Sequence, residues 1–396
     1  MFDVKKEVEK LEESLIALRR DFHLHPELGY KEFETSAKIR TFLEEIGAEE
    51  IQSVTGTGLT ALIRGTGSGK TVMLRADMDA LPVTEETGLP FASQNPGVMH
   101  ACGHDGHMAI QLTAAKILAE HRDSFQGTVK VLFQPNEEEA GALNMIKEGV
   151  LKDPKVDAAF ALHLWSPIPT GRIGLSPGPI LGTTEEFELE IRGKAGHTAQ
   201  PQESVDALLG ACEVVNAVQT LVTREYNPMN PMAICFGYIN GGTGRNIITD
   251  KVNLGGTIRF LFPDEEIWKP RILESFERVI RNTCQAYRLD YRLRFIPSNP
   301  SLVNDTRMTE IVKKSVQETY GTTEVLDDFK SLAGEDFAEF THRVPSVMTW
   351  VGIADAAKGT DYPHHNSHFD IDEDMLKVGV EIQVRNVLNF LNGGQE

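Results

Sequence analysis

The chain changes its structural grammar twice along its length, and that double switch constrains its fold more than any other feature. Short apolar runs at 60–64, 71–75, 129–133 and 158–164 are separated by helical stretches near 108–121 and 142–150. Strands alternating with helices predict an α/β sheet that is largely parallel. Ahead of them, Val4, Val8, Leu11, Leu15 and Leu18 recur at spacings of three and four, the period of an amphipathic helix. A second helix is predicted over 34–46, stopped by Gly47. From about Glu186 the pattern shifts to period two, with Phe187, Leu189 and Ile191 on one side of a half-exposed strand. A helix at 205–222, strands at 232–238 and 252–260, a helix at 265–287 and a strand at 291–295 complete a β-α-β-β-α-β order, that of a ferredoxin-like unit. After about residue 298 the α/β alternation resumes, with helices near 307–320, 333–341 and 375–391 and a strand at 346–351. The expected architecture is one α/β domain over 1–184 and 298–396, interrupted by an α+β insert over 185–297. A chain of 396 residues is long enough to bury two such cores.

Charge narrows the partners. A formal net charge of −19 argues against nucleic acid or an anionic membrane surface, both of which need an excess of Lys and Arg. No run of 18 apolar residues is present, so a membrane-spanning helix is not expected. The first 13 residues are rich in charge and lack the apolar core of a signal peptide. Cys102, Cys212, Cys235 and Cys284 are widely scattered, which argues against a disulfide framework and for a reducing compartment. The expected location is the cytoplasm.

Four polar clusters carry the chemical signal. In Met99-His100-Ala101-Cys102-Gly103-His104-Asp105-Gly106-His107, Cys102 and His104 stand two apart before a helix, and a tight turn at Gly103 lets both converge on one ion. Asp105 and His107 stand beside them as supporting groups. A buried Cys and a helix-capping His explain a lone Cys-x-His equally well. Glu137, Glu138 and Glu139 follow the apolar strand 129–133, at the strand end where α/β sheets place ligands. The bland alternative is a solvated acidic helix start. His163, near the end of run 158–164, is either a ligand or a hydrogen-bonded core residue. His364, His365 and His368 crowd a five-residue stretch that suits either metal binding or a surface turn. Together the clusters offer more donors than one tetrahedral zinc takes, and point to two ions roughly 3.5–4 Å apart that share a water. A thiolate among the ligands favours Zn²⁺, with Mn²⁺ or Co²⁺ as alternatives.

Gly65-Thr66-Gly67-Ser68-Gly69-Lys70-Thr71 imitates a phosphate-binding loop, but Arg64 stands where that motif needs its first Gly, and a strand follows instead of a helix. A turn between strands 60–64 and 71–75 is the expectation.

Several longer strings add a resemblance. Arg75-Ala76-Asp77-Met78-Asp79-Ala80-Leu81-Pro82, the string from Met99 to His107, Gln134-Pro135-Asn136-Glu137-Glu138, Gly193-Lys194-Ala195-Gly196-His197 and Gly334-Glu335-Asp336-Phe337 occur in the order and spacing of one family. They resemble the bacterial aminoacylase and hippurate hydrolase branch of the dinuclear metallopeptidase and amidohydrolase family, from about Leu18 to Leu391. The branch also holds plant auxin-conjugate hydrolases, N-acetyl-diaminopimelate deacetylases and carboxypeptidase-like deacylases. The resemblance implies two divalent ions held by Cys102, His104, Glu138, His163 and His365, with the Cys102 thiolate as a candidate bridge. Matching Phe369 to the family's terminal motif selects His365 over His364 and His368. Glu137 takes the place of the general base, and Asp79 that of a residue orienting a neighbour. Asp77 stands where relatives outside the branch carry a ligating His. His197 matches an insert-domain His that polarises the scissile carbonyl across a dimer, so the insert is expected to act as lid and dimerisation domain of a homodimer or higher oligomer.

The expected reaction is removal of an N-acyl group from an N-acyl-L-amino acid or a short peptide-like amide. The metals lower the pKa of a bridging water toward roughly 7, Glu137 takes its proton as hydroxide attacks and later gives it to the amine, and His197 with one metal stabilises the oxyanion. Asn246, in a Gly-rich turn, and Arg259, on strand 252–260, are candidate partners for the substrate carboxylate, although Arg259 also reads as a plain surface residue. The runner-up is a dipeptidase or carboxypeptidase with the same chemistry. A non-catalytic metal-binding protein is disfavoured, because closed structural sites seldom keep a spare acid such as Glu137.

Overall fold

The computed structural model describes residues 2–319 and 325–393. It divides into two compact units: Met1–Gly178, Val303–Phe329 and Glu335–Glu396 form the first, Pro179–Leu302 and Lys330–Gly334 the second.

In the first unit the chain opens with α1 (Val4–Leu24), capped by Asp3, whose side chain accepts the Lys6 N–H at 3.3 Å. Its Val4, Val8 and Leu15 are buried, as the three-and-four spacing requires. Helix α2 (Phe33–Glu45) ends just before Gly47, whose φ of +69° takes the left-handed turn. Strands β1 (Glu49–Val54), β2 (Gly58–Arg64) and β3 (Thr66–Asp77) lead to α3 (His104–Glu120), then β4 (Gln126–Gln134), the short helix α4 (Ala142–Lys147), β5 (Ala158–Pro169) and β6 (Ile173–Gly174).

The second unit follows. Strand β7 (Thr183–Arg192) and the two-residue β8 (Gly196–His197) precede α5 (Ala207–Thr220), β9 (Met232–Gly241), β10 (Ile247–Ile248), β11 (Lys251–Phe260), α6 (Glu265–Ala286) and β12 (Asp290–Pro297). Four strands form an antiparallel sheet in the order β9-β11-β7-β12, the ferredoxin-like arrangement read from the β-α-β-β-α-β order. Its core joins Phe187, Leu189 and Ile191 of β7 to Val214 of α5 and Phe276 of α6. Asp206 caps α5 by accepting the N–H groups of Leu208 and Leu209.

Back in the first unit come α7 (Thr306–Thr319), β13 (Val325–Leu326), α8 (Ala338–Thr341), β14 (Ser346–Ala354) and α9 (Asp374–Asn392). The large sheet runs β1-β2-β4-β3-β5-β14-β6-β13. Its central strands β4, β3, β5 and β14 are mutually parallel, while β1 and β2 are added antiparallel at one side. The parallel centre is buried on both faces, which explains the unbroken apolar runs. No helix among the described residues is long and apolar enough to cross a membrane.

Two sequence expectations are corrected. Strands β2 and β3 are not joined by a simple turn: β4 lies between them, and the glycine run carries the chain past the start of β4. Backbones meet closely there, since a Cβ at Gly65 would lie 2.3 Å from the Phe125 carbonyl and one at Gly127 2.3 Å from that of Lys70. The helix expected over 333–341 shrinks to Ala338–Thr341, because Glu335 and Asp336 are drawn to a buried Arg instead of a solvated helix face. The end of the helix expected over 307–320 lies outside the described residues.

Helix α1 is tied down by more than its apolar stripe. Arg19 is fully buried and donates to Asp105 at 2.8 Å, Asp370 at 2.7 Å and Glu373 at 3.2 Å, while His23 bonds Asp105 at 2.8 Å. Removing one member of a buried ion network strands the others, at a cost of about 3–5 kcal/mol. Arg19→Met is therefore expected to lower unfolding stability by about that much in urea titration. A change below about 1 kcal/mol would mean that the network is not intact in solution.

Candidate metal centre

The site lies beyond the C-terminal ends of β3 and β4 and alongside β5, where parallel sheets collect ligands. Gly103 (φ +89°) turns the chain into α3, so Cys102 precedes the turn and His104 starts the helix. The donor atoms of Cys102, His104 and His163 lie within 4.8 Å of one another, and so do those of Cys102, Glu138 and His365. Cys102 is common to both sets.

Second bonds leave one nitrogen of each of two histidines facing inward. His104 Nδ1 donates to the Asp79 carbonyl at 2.8 Å, which leaves Nε2 facing Glu138 Oε1 at 4.0 Å. His163 Nδ1 donates to the Leu164 carbonyl at 2.8 Å, leaving Nε2 3.6 Å from Cys102 Sγ. His365 Nε2 stands 3.4 Å from Glu138 Oε1, on a residue held at φ +65° by its N–H to the Ala101 carbonyl. Such a conformation costs a side chain about 1–3 kcal/mol and recurs where function fixes geometry. His163 sits within β5 and not at its end, because pairing with β14 carries the strand on to Pro169.

Do these residues fit metal ions? His104 Nε2 and Glu138 Oε1 are buried and have no hydrogen-bond partner among the described residues, an arrangement that is expensive unless something positive stands between them. Around them Asp77, Asp79, Glu137, Glu335 and Asp336 are all buried, and the guanidinium of Arg75 is bonded to three of these. The donor set and the charge surplus both fit divalent cations.

Neighbouring groups have their valences filled by protein. His107 Nδ1 donates to Asp77 Oδ1 at 2.6 Å and its Nε2 accepts the Leu164 N–H at 2.9 Å, so no nitrogen is left for a metal. Asp77 divides its oxygens between His107 and Arg75. Asp79 orients two candidate ligands, since its carbonyl takes His104 and its Oδ2 accepts the Glu138 N–H at 3.1 Å. Asp105 spends Oδ2 on Arg19 and His23. His364 is held between Ser166 Oγ at 3.1 Å and the Leu164 carbonyl at 3.0 Å, with burial pushing it down to about 4. His368 is exposed beside Ser367.

Glu137 and Glu138 share a single 3₁₀ turn, entered at Asn136 (φ +56°) and left at Ala140 (φ +62°). Buried Glu32 anchors the entry by accepting the Asn136 N–H at 3.1 Å, and Gly29 lies so close that a Cβ there would meet Asn136 Oδ1 at 2.0 Å. Glu138 reaches Cys102 and His365, while the Glu137 carboxyl lies near His104 and Glu138 and also near Glu335 and Asp336. Burial, and then the charges of Glu335, Glu138 and Asp336, hold Glu137 well above the usual carboxylate range.

The remaining candidates belong to the second unit. His197, on β8, pairs with Ile247 of β10 and is exposed. Its Nδ1 accepts the Ala199 N–H at 3.0 Å, which leaves Nε2 as the ring nitrogen without that bond. Asn246 lies beside it, its carbonyl accepting the Thr198 N–H at 3.3 Å. Arg259 donates to the Leu332 carbonyl at 2.9 Å. Arg75, Gln134, Glu335 and Asp336 lie in the strings that carry the resemblance, but local sequence assigns them no role; the one local signal is a charged residue, Arg75, closing the apolar run 71–75.

The protons on these ligands set a pH dependence. Burial, with the charges of Glu138 and Glu137, holds the Cys102 thiol well above its usual value. Burial opposes the charged form of His104, yet Asp77, Asp79 and Glu138 push it up to about 10. Both groups are protonated at neutral pH in the metal-free protein and must lose that proton to ligate. Zinc affinity is therefore expected to fall as pH is lowered. Calorimetry in buffers of different ionisation enthalpy should show proton release on binding at pH about 7, and no release would contradict this electrostatic picture.

The chain is similar to several known proteins. The model for Peptidase family M20/M25/M40 matches residues 73–389. Thermostable carboxypeptidase 1 of Saccharolobus solfataricus is 36% identical over 394 residues, 98% of each chain. N-acetyl-L-cysteine deacetylase of Bacillus subtilis is 38% identical over 364 residues, covering 92% of this chain and 85% of that one. A solved Bacillus subtilis structure described as a dinuclear metal binding peptidase of the M20 family superposes with a TM-score of 0.84 at 32% identity, over 97% of this chain and 99% of that one. Fold and site together define a metal-dependent hydrolase of amide bonds with a centre for two divalent ions. The chain belongs to the M20/M25/M40 peptidase family.

Proposed function

We propose that this hydrolase removes the N-acyl group from N-acyl-L-amino acids, with Cys102, His104, Glu138, His163 and His365 holding the two ions and Glu137 serving as general base and acid. One observation carries the reading: two three-donor sets share the Cys102 sulfur, and a buried carboxyl that completes neither set stands beside them. When bound, two divalent ions supply Lewis acidity to the amide carbonyl and to the attacking water. Glu137 takes the proton of that water and hands it to the departing amine; its raised pKa brings it toward the range where both transfers are efficient. His197 of a second copy, its Nδ1 engaged by the Ala199 N–H, stabilises charge developing on the carbonyl oxygen through its other ring nitrogen. Asn246 and Arg259 are assigned to the substrate carboxylate. Zn²⁺ or Mn²⁺ is the proposed metal, the thiolate favouring zinc.

The α/β domain over 1–184 and 298–396 is proposed to carry the metals, and the insert over 185–297 to act as lid and dimerisation domain. Supporting the dimer, β9 is an edge strand with Tyr238 and Ile239 exposed, and Leu208 and Leu209 are exposed on α5. A cytoplasmic location is proposed from the four free cysteines. A second reading, a carboxypeptidase or dipeptidase, is supported by the similarity to the Saccharolobus enzyme.

The deciding experiment compares N-acetyl-methionine, hippurate and dipeptides after loading with zinc, manganese or cobalt. N-acyl amino acids are expected to turn over at least about 10-fold faster than dipeptides, and a chelator should stop hydrolysis while the chain stays folded. Preference for dipeptides would sink the deacylase reading in favour of the second.

A further inference from the structure

We propose that Arg75 is the positioning residue that fixes the Glu137 carboxyl relative to the metal-ligating side chains, an inference that rests on Glu137 being the base. Arg75 lies on β3 between β4 and β5, and its side chain is fully buried. Each edge of its planar fork is occupied. Nε donates to Gln134 Oε1 at 3.0 Å, Nη1 to Asp77 Oδ2 at 2.8 Å, and Nη2 to Glu335 Oε1 at 2.9 Å and Asp336 Oδ1 at 3.0 Å.

Two chains of contacts leave this hub. Through Asp77 it reaches His107, which accepts the N–H of Leu164, the residue after His163. Through Asp336 it reaches the other wall of the site. Asp336 accepts Gln134 Nε2 at 2.7 Å and the Ala142 N–H at 2.8 Å, and donates its own N–H to Glu137 Oε1 at 3.4 Å. One rigid cation thus spans the strand that carries His163 and the loops that hold Glu137. It also offsets the repulsion that would drive Glu335 and Asp336 away from Glu137. A lysine keeps the charge but offers a single nitrogen, which cannot reach acceptors spread around a guanidinium plane.

The test is a double-mutant cycle on metal-loaded protein with Arg75→Lys, Glu137→Gln and the pair, reading kcat, KM, metal content by mass spectrometry and thermal midpoint. Arg75→Lys is expected to lower kcat about 100-fold, the effect of a displacement near 1 Å, with KM and metal content unchanged. In the Glu137→Gln background the same change should alter the residual rate by about twofold or less, since the group it positions is already disabled. Effects that multiply in full, or a normal kcat in Arg75→Lys, would overturn the inference while leaving Glu137 as the base. Full turnover by Glu137→Gln alone would instead remove the base. Should Arg75→Lys fail to fold, Glu335→Gln, which takes the charge from one anchor, enters the same cycle with the same expectation.

Discussion

Glu137→Gln is expected to keep both metal ions and the folded state while lowering kcat by about 10³-fold or more, toward the upper end of what general acid–base catalysis contributes. The amide is nearly isosteric, so the turn from Asn136 to Ala140 and its anchor at Glu32 should persist. What disappears is a buried carboxyl able both to accept a proton and to return it. Among the described residues the neighbouring buried carboxyls are engaged elsewhere, Glu335 by Arg75 and the Phe337 N–H. Asp77 is bonded to His107 and Arg75, Asp79 holds Glu138, and Asp336 is held by Gln134, Ala142 and Arg75. Kinetics with hippurate, beside metal analysis of the same preparation, would check this. Retained turnover would remove Glu137 from the chemistry.

Cys102→Ala should have an effect of another kind. Because the sulfur belongs to both of the sets proposed to hold the ions, its loss leaves two proposed ligands in each, too few to hold an ion through dialysis. His365 belongs to one set only, so His365→Ala should release one ion and retain the other. Metal content of the two dialysed variants gives the answer, and the pair of results distinguishes a shared ligand from an ordinary one. If Cys102→Ala keeps two ions per chain, the thiolate lies outside the centre.

The fold was legible wherever periodicity is local. The amphipathic stripe of α1, the apolar parallel strands and the alternation of Phe187, Leu189 and Ile191 each follow from burial on one face or two. What escaped depends on residues far apart in sequence. Arg19 meets Asp105 and Asp370 across 86 and 351 residues, and Arg75 meets Glu335 across 260. No window of neighbours shows that these charges are buried. For the same reason the segment 333–337 read as helix, although Glu335 and Asp336 are committed elsewhere. The clusters of Cys, His and Glu could be read as chemistry because several metal-capable side chains crowd strand ends and one Gly-bracketed turn. Among the three histidines, the choice of His365 came from the resemblance and not from periodicity; in the structure His364 is enclosed by Ser166 and Leu164, whereas His365 meets Glu138.

The proposed chemistry requires ions seated where separate stretches of chain converge. Crystals grown with zinc and measured on either side of its absorption edge would answer the point. Two anomalous peaks about 3.5–4 Å apart, one beside His104 and His163, one beside Glu138 and His365, with Cys102 touching both, are the expected result. A single peak, or peaks seated away from Cys102, would contradict it.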